Sequence, residues 1–230
     1  GQGAVGWWMV ESGLADRIEV SQYRLTAHLA LALVIYAATL WTALGLLTPT
    51  PALPRLRGRE YTGAGAGQPP PPLAGEGRGG GWRRAAEAVL CLVSLTIVAG
   101  GFVAGLNAGL TYNTCPLMDG QFVPAGYAQL APFWRNWFEN IPAVQFDHRL
   151  LAETTVALVI VLWLAGRRAG PRPARPALHA LLAVALLQLS LGVSTLLLVV
   201  PIPLAAAHQA GAVLLLTAAI VLRHRLRAAG

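Results

Sequence analysis

"VQFDHRLLAETTVALVIVLW", residues 144–163, is the stretch on which the fold class turns. From Phe146 to Ala165 it is apolar enough to cross a bilayer, yet it opens on Asp147, His148 and Arg149. About 20 helical residues, rising 1.5 Å each, cross the ~30 Å hydrocarbon layer. Charged side chains at that depth are costly and mark function where they occur. Two readings of the triplet stand: it is solvated in the headgroup layer, or it reaches into a site.

Four further runs have the same length and character. Residues 25–47 carry no charge, and residues 85–106 carry only Glu87. Residues 177–200 and 203–222 are joined by a turn at Pro201-Ile202-Pro203. The first ten residues, "GQGAVGWWMV", read as the outer end of another span. With no initiator Met and no signal-peptide pattern, the sequence is expected to begin inside a helix. The predicted fold is an all-α integral membrane protein, a helical bundle of five complete transmembrane helices plus the end of a sixth.

Composition excludes a soluble domain. Of 230 residues, 55% are hydrophobic and 12% charged. The net charge is +7, and every basic side chain except histidine is an arginine. These arginines lie between apolar runs, so they encode membrane orientation rather than nucleic-acid binding. Arg55, Arg57, Arg59, Arg78, Arg83 and Arg84 flank one loop; Arg167, Arg168, Arg172 and Arg175 fill another; Arg223, Arg225 and Arg227 mark the end. The alternate loops hold Arg17 and Arg135. The positive-inside rule puts the arginine-rich loops in the cytoplasm, or in the matrix of a mitochondrion.

Residues 48–82 include "GAGAGQPPPPLAGEGRGGG", a composition unable to build a core, and read as a disordered cytoplasmic linker. The outer loop, 109–144, holds "APFWRNWFENIP". It suits an interfacial helix, or a lid over a site. Cys91 and Cys115 fall near opposite ends of one span, roughly 25–35 Å apart by helix rise, too far for a disulfide.

Of five histidines, His179 and His224 sit beside arginines at inner helix ends and read as interfacial. His28, His148 and His208 each fall near the outer end of a different helix. Imidazole is the commonest neutral metal ligand. Carboxylates are sparse at that depth, which disfavours a bare zinc or di-iron centre. A haem needs only axial histidines and an apolar slot. Ala32, Ala152, Thr155, Gly211 and Ala212 sit one or two turns past the histidines and leave room for a flat ring. Small residues also pack helices against each other in lipid, so that reading stays open. Gly101, Gly105 and Gly109 read as close helix packing. Arg149 and Arg24 are candidates for haem propionates, with interfacial solvation as the alternative.

There is an internal repeat. "GQGAVGWW…YRLTAHLALALVI" parallels "LQLSLGVSTLLL…LAAAHQAGAVLLL", matching Gln2, Gly6 and His28 with Gln188, Gly192 and His208. Each copy is a helix pair with a histidine near the start of its second helix. The implied whole is a two-fold pseudo-repeated eight-helix bundle. Residues 1–47 end its N-terminal half, 48–82 link, and 83–230 form the C-terminal four-helix half.

The stretches "GWWMVESGL", "SQYRLTAHLALA", "AGLNAGLTYNTCPLMDGQFVP", "VQFDHRLL", "LGVSTLL" and "AAAHQAG" together resemble the haem A synthases of mitochondria and related bacteria. The resemblance covers nearly the whole chain outside 48–82. It implies oxidation of a ring methyl of haem O to the formyl group of haem A, for cytochrome oxidase. It implies haem b between His148, in "FDHR", and His208, in "AAHQ". Substrate haem O then falls to His28, in "TAHL", whose partner histidine lies outside this sequence. Iron is accordingly expected at His28, His148 and His208. The fragment alone is not expected to be a competent synthase, and Cys115 does not match the loop cysteine pair of other branches. The resemblance leaves haem O synthase, an electron donor, assembly factors and a second copy of the chain as candidate partners. It puts the chain in a bacterial inner membrane or the mitochondrial inner membrane. The rival reading is a bis-histidine haem b electron carrier without substrate haem. Histidines at one depth argue against it, because carriers that cross a bilayer need haems at both faces.

Overall fold

The computed structural model describes residues 1–12, 19–47 and 76–227, and side chains from residue 80 in the last segment. Among the described residues seven α-helices follow in order: α1 (Gln2–Glu11), α2 (Gln22–Leu47), α3 (Glu76–Gly105), α4 (Asn136–Glu139), α5 (Ile141–Ala169), α6 (Arg175–Leu197) and α7 (Ile202–Arg225). Among the described residues five segments are long and apolar enough to cross a membrane: Gln22–Leu47, Gly80–Gly105, Ile141–Ala169, Arg172–Leu197 and Ile202–Arg225. The chain is an all-α membrane bundle.

α3, α5, α6 and α7 pack around a closed ring of neighbours, α3 on α5, α5 on α6, α6 on α7 and α7 back on α3. That leaves α5 and α7 on the diagonal. The lower core is a close-packed cluster that includes Val89, Val93, Val159, Leu181, Ala185, Leu216 and Ala219. Gly166 fixes one crossing, since a Cβ there would stand 2.6 Å from Cδ2 of Leu178 and 3.2 Å from the Trp82 ring.

α2 docks on the outside of this bundle, against α3 and α7. The glycine spacing read as helix packing holds for Gly101 and Gly105. A Cβ on Gly101 would meet Thr26 Oγ1 at 3.0 Å, and one on Gly105 would meet Gln22 Cα at 2.7 Å. Gly109 lies past the end of α3 and faces Val200 instead. Tyr36 and Thr217 share a 2.7 Å hydrogen bond across α2 and α7. Glu87, the only charge expected in its span, accepts from Arg223 Nε at 2.8 Å.

Several expectations are corrected. α5 starts at Ile141, because Asn140 caps it by accepting from Ala143 N at 3.3 Å and Pro142 occupies its first turn. His148 is therefore in the second turn of α5. The α6–α7 turn lies earlier than Pro201-Ile202-Pro203. α6 ends at Leu197, Val199 and Val200 take positive φ of 60° and 56°, and Ile202 and Pro203 already belong to α7. Asn113 Nδ2 caps that end of α6 by donating to Leu196 O at 2.9 Å. His224 is not an exposed interfacial group: it is 5% exposed and takes the Trp41 ring edge-on. His179 is exposed and accepts from Trp163 Nε1 at 2.9 Å. Cys91 and Cys115 are both exposed and free, as their separation implied. Of the linker expected over 48–82, residues 48–75 lie outside the described residues, whereas Glu76 onward is helical.

Candidate haem-ligating site

The three outer histidines share one local construction. His28 lies on α2, His148 on α5 and His208 on α7, each six or seven residues after its helix begins. At 1.5 Å per residue that is about 10 Å along the axis. Each imidazole packs on a glycine of an earlier helix, α1, α3 and α6 respectively, five residues before that helix ends. A Cβ on Gly6 would stand 3.1 Å from His28 Cε1, one on Gly100 3.1 Å from His148 Cε1, and one on Gly192 2.9 Å from His208 Cε1. A side chain at Gly192 would force the His208 ring to shift, and one at Gly6 or Gly100 would press its ring back by a few tenths of an ångström.

Four residues before each glycine, one turn away on the same face, sits the group that holds the histidine's nitrogen. Gln2 Nε2 lies 3.3 Å from both ring nitrogens of His28 and donates to His28 O at 3.2 Å. Gln188 Nε2 lies 3.1 Å from His208 Nδ1 and donates to His208 O at 3.0 Å. At His148 the partner is the backbone carbonyl of Thr96, 3.1 Å from Nδ1. A carbonyl only accepts, so Nδ1 of His148 carries the proton and Nε2 keeps its lone pair for a metal.

The outer loop is pinned over this end of the bundle. Asn136, fully buried, donates to Leu130 O at 3.0 Å and Phe133 O at 2.8 Å, and accepts from Leu130 N at 3.0 Å and Asn140 Nδ2 at 2.8 Å. Asn140 also donates to Gly126 O, and Gln145 donates to Tyr112 O. Tyr127 donates to Asp147 at 2.8 Å. Burial, and then that hydrogen bond, push the Tyr127 phenol up to about 12. Asp147 thus anchors the loop. Outside, Phe133, Trp134 and Trp137 are exposed, as an interfacial segment requires. Its helix is only Asn136–Glu139, preceded by a 3-10 turn at Phe133–Arg135.

Among the described residues no group of three or more His, Cys, Asp or Glu gathers as a bare metal ion needs. Separate imidazoles on different helices suit a ligand that brings its own equatorial donors.

Residues 1–220 match the family described as cytochrome oxidase assembly protein. The chain belongs to that family. It is 48% identical over 227 residues to a heme A synthase of Nitrosospira multiformis, covering 98% of the chain and 58% of the relative. It is 50% identical over 230 residues to a heme A synthase of Granulibacter bethesdensis, covering 100% and 54%. It is 44% identical over 237 residues to the heme A synthase COX15 of Mus musculus, covering 98% and 52%. The chain spans about half the length of these relatives.

For this member of the cytochrome oxidase assembly family, the histidines fall into two places. His148 and His208 are on the diagonal helices of one bundle; His28 is on the helix docked outside it. Arg149 lies at the start of the third turn of α5, donating to Tyr112 O at 2.6 Å and Thr114 O at 2.9 Å, with its Nε buried and unpartnered. Arg24 donates to Trp8 O at 2.8 Å and covers the Trp8 ring at 4.7 Å. Neither is fully used, since a guanidinium carries five N–H groups.

Sequence reading matched Gln2 and Gly6 to Gln188 and Gly192 as a repeat but gave them no work. It missed Thr96 and Gly100 altogether. The available signal was a polar residue four positions before a glycine, one helix ahead of each histidine. These residues fit a haem: paired imidazoles, glycine cradles that hold the rings, and buried unpartnered atoms at Gln2 Oε1, Gln188 Oε1 and Arg149 Nε.

Proposed function

We propose that the protein carrying this chain is a haem A synthase, which oxidises a ring methyl of haem O to a formyl group. The observation that carries this reading is the triple Gly–His construction, two copies facing across one four-helix bundle and a third outside it. In this reading His148 and His208 ligate haem b, and His28 faces substrate haem O. When bound, the haem iron supplies the oxidising power that no side chain here has. The chain's own residues hold and orient. Thr96 O fixes the proton of His148 on Nδ1, and Gly100 and Gly192 let the rings approach their neighbouring helices. Arg149, whose Nε is unpartnered, would hold a propionate of haem b, and Arg24 would hold one of haem O. The anchored outer loop keeps water from that end. The arginine-rich ends face the cytoplasm of a bacterium, or the matrix side of a mitochondrial inner membrane, which sets the histidines near the opposite face. An electron donor, haem O synthase, assembly factors and further copies of the chain remain its candidate partners.

The test is expression of the full-length protein with a haem O source, followed by haem extraction and mass analysis. Appearance of haem A, lost in His28→Ala, is the expected result. A protein that carries bis-histidine haem b and never converts haem O refutes the synthase reading.

A further inference from the structure

A neutral imidazole has one N–H, and which nitrogen bears it decides whether Nε2 can bind iron. The structure solves this differently at the two diagonal histidines. His148 faces a backbone carbonyl, which can only accept. His208 faces the side-chain amide of Gln188, which has a donating and an accepting end.

As it stands, the donating end faces His208 Nδ1 at 3.1 Å, and Gln188 Oε1 is buried without a partner. That arrangement suits the tautomer with its proton on Nε2. With Nε2 on iron, the proton is on Nδ1 and needs an acceptor. The unpartnered Oε1 of the same amide is that acceptor, reached by turning the terminal torsion at the cost of the Nε2 hydrogen bond to His208 O. Gly211 keeps the space: a Cβ there would stand 2.2 Å from Gln188 Oε1.

We propose that Gln188 is the positioning residue of the axial His208, turning its amide to accept the Nδ1 proton when Nε2 binds iron, and that Gln2 serves His28 in the same way. The inference rests on the assignment of His148 and His208 as haem b ligands. Gln2 Nε2 lies 3.3 Å from both nitrogens of His28, and Gln2 Oε1, like Gln188 Oε1, is buried without a partner. The strength of the Nδ1–H hydrogen bond sets how basic an axial imidazole is, and so how well it stabilises ferric iron. Gln188 therefore tunes the haem b potential without touching the haem.

The test uses the full-length protein purified with haem b, and reads the midpoint potential and the low-spin electron paramagnetic resonance g-values. Gln188→Met keeps the volume and removes the acceptor. It should raise the potential and broaden the signal as the His208 plane loses its anchor. Gln188→Glu offers a stronger acceptor and should lower the potential at pH values where the carboxyl is ionised. Gln209→Met, one residue from His208 but exposed, should change neither. If both Gln188 variants retain haem b with the wild-type potential and g-values, the positioning role is wrong while the ligand assignment survives. Wild-type haem b that survives intact in His208→Ala overturns the ligand assignment itself, and this inference with it. Should Gln188→Met fail to fold, the Gln188→Glu shift and its pH dependence decide alone.

Discussion

Gly192→Ala should loosen haem b binding by about 5- to 150-fold. The added Cβ would stand 2.9 Å from His208 Cε1, 3.4 Å from Nδ1 and 3.6 Å from Nε2. Carbon atoms rest at about 3.5–4.0 Å, so the ring must retreat by about 0.6 Å or more. It cannot slide freely, because Gln188 holds both its Nδ1 and its backbone carbonyl. Overpacking of this kind costs about 1–3 kcal/mol. At 1.4 kcal/mol per decade, that is the fold-change given. The measurement is haem b content per protein and its retention on dilution, with the visible spectrum reporting bis-histidine ligation. Gly45→Ala is the control, since nothing lies within 4 Å of its added Cβ, and a helix glycine replaced by alanine gains up to about 1 kcal/mol. A Gly192→Ala protein that binds haem b as tightly as wild type, with an unchanged spectrum, refutes the cradle argument.

The remaining predictions concern the other histidine, the loop and the topology. In the full-length protein His28→Ala should keep haem b and abolish haem A formation; loss of haem b there would show that the two histidine sets do not serve separate haems. Asn136→Ala removes the partner of Leu130 N, Leu130 O and Phe133 O, at about 1–3 kcal/mol for each group left unsatisfied, while Asn140 Nδ2 keeps Gly126 O. Hydrogen exchange in residues 126–140 should rise sharply, and unchanged protection would show that the loop is held elsewhere. Hydrogen bonds from Arg135 first, and Tyr23 second, hold the Glu139 carboxyl below the usual carboxylate range. A lowered folded pKa contributes stability above the ordinary value of about 4.3 and loses it as pH falls through the lowered one. Proteolysis of the loop should therefore accelerate only below pH about 4, and Glu139→Gln should remove that step. Cys115 and an introduced Arg172→Cys should label from opposite faces of sealed vesicles; labelling from one face would overturn the orientation read from the arginines.

The sequence determined the class, the spans and the level of the histidines, because these depend on local quantities. Length and apolarity mark a span whatever surrounds it, and an axial rise of 1.5 Å fixes how deep His28, His148 and His208 lie. The Gln2/Gly6/His28 and Gln188/Gly192/His208 repeat was legible because both copies kept the same residue types. The third copy was not, since at His148 a backbone carbonyl replaces the glutamine side chain, and every residue has a carbonyl. Where α5 begins was misread because Ile141-Pro142-Ala143 is as apolar as a loop entering the membrane, and only the Asn140 cap tells them apart. Which face of each helix turns inward was decided by the tertiary structure alone. Helices apolar on every side carry no amphipathic stripe to give their rotation, and lipid tails solvate one face as well as another. That rotation is chosen by the glycine crossings and the hydrogen bonds between neighbouring helices. Gly192 under His208, Gly100 under His148 and the diagonal placing of α5 and α7 exist only once the helices have packed.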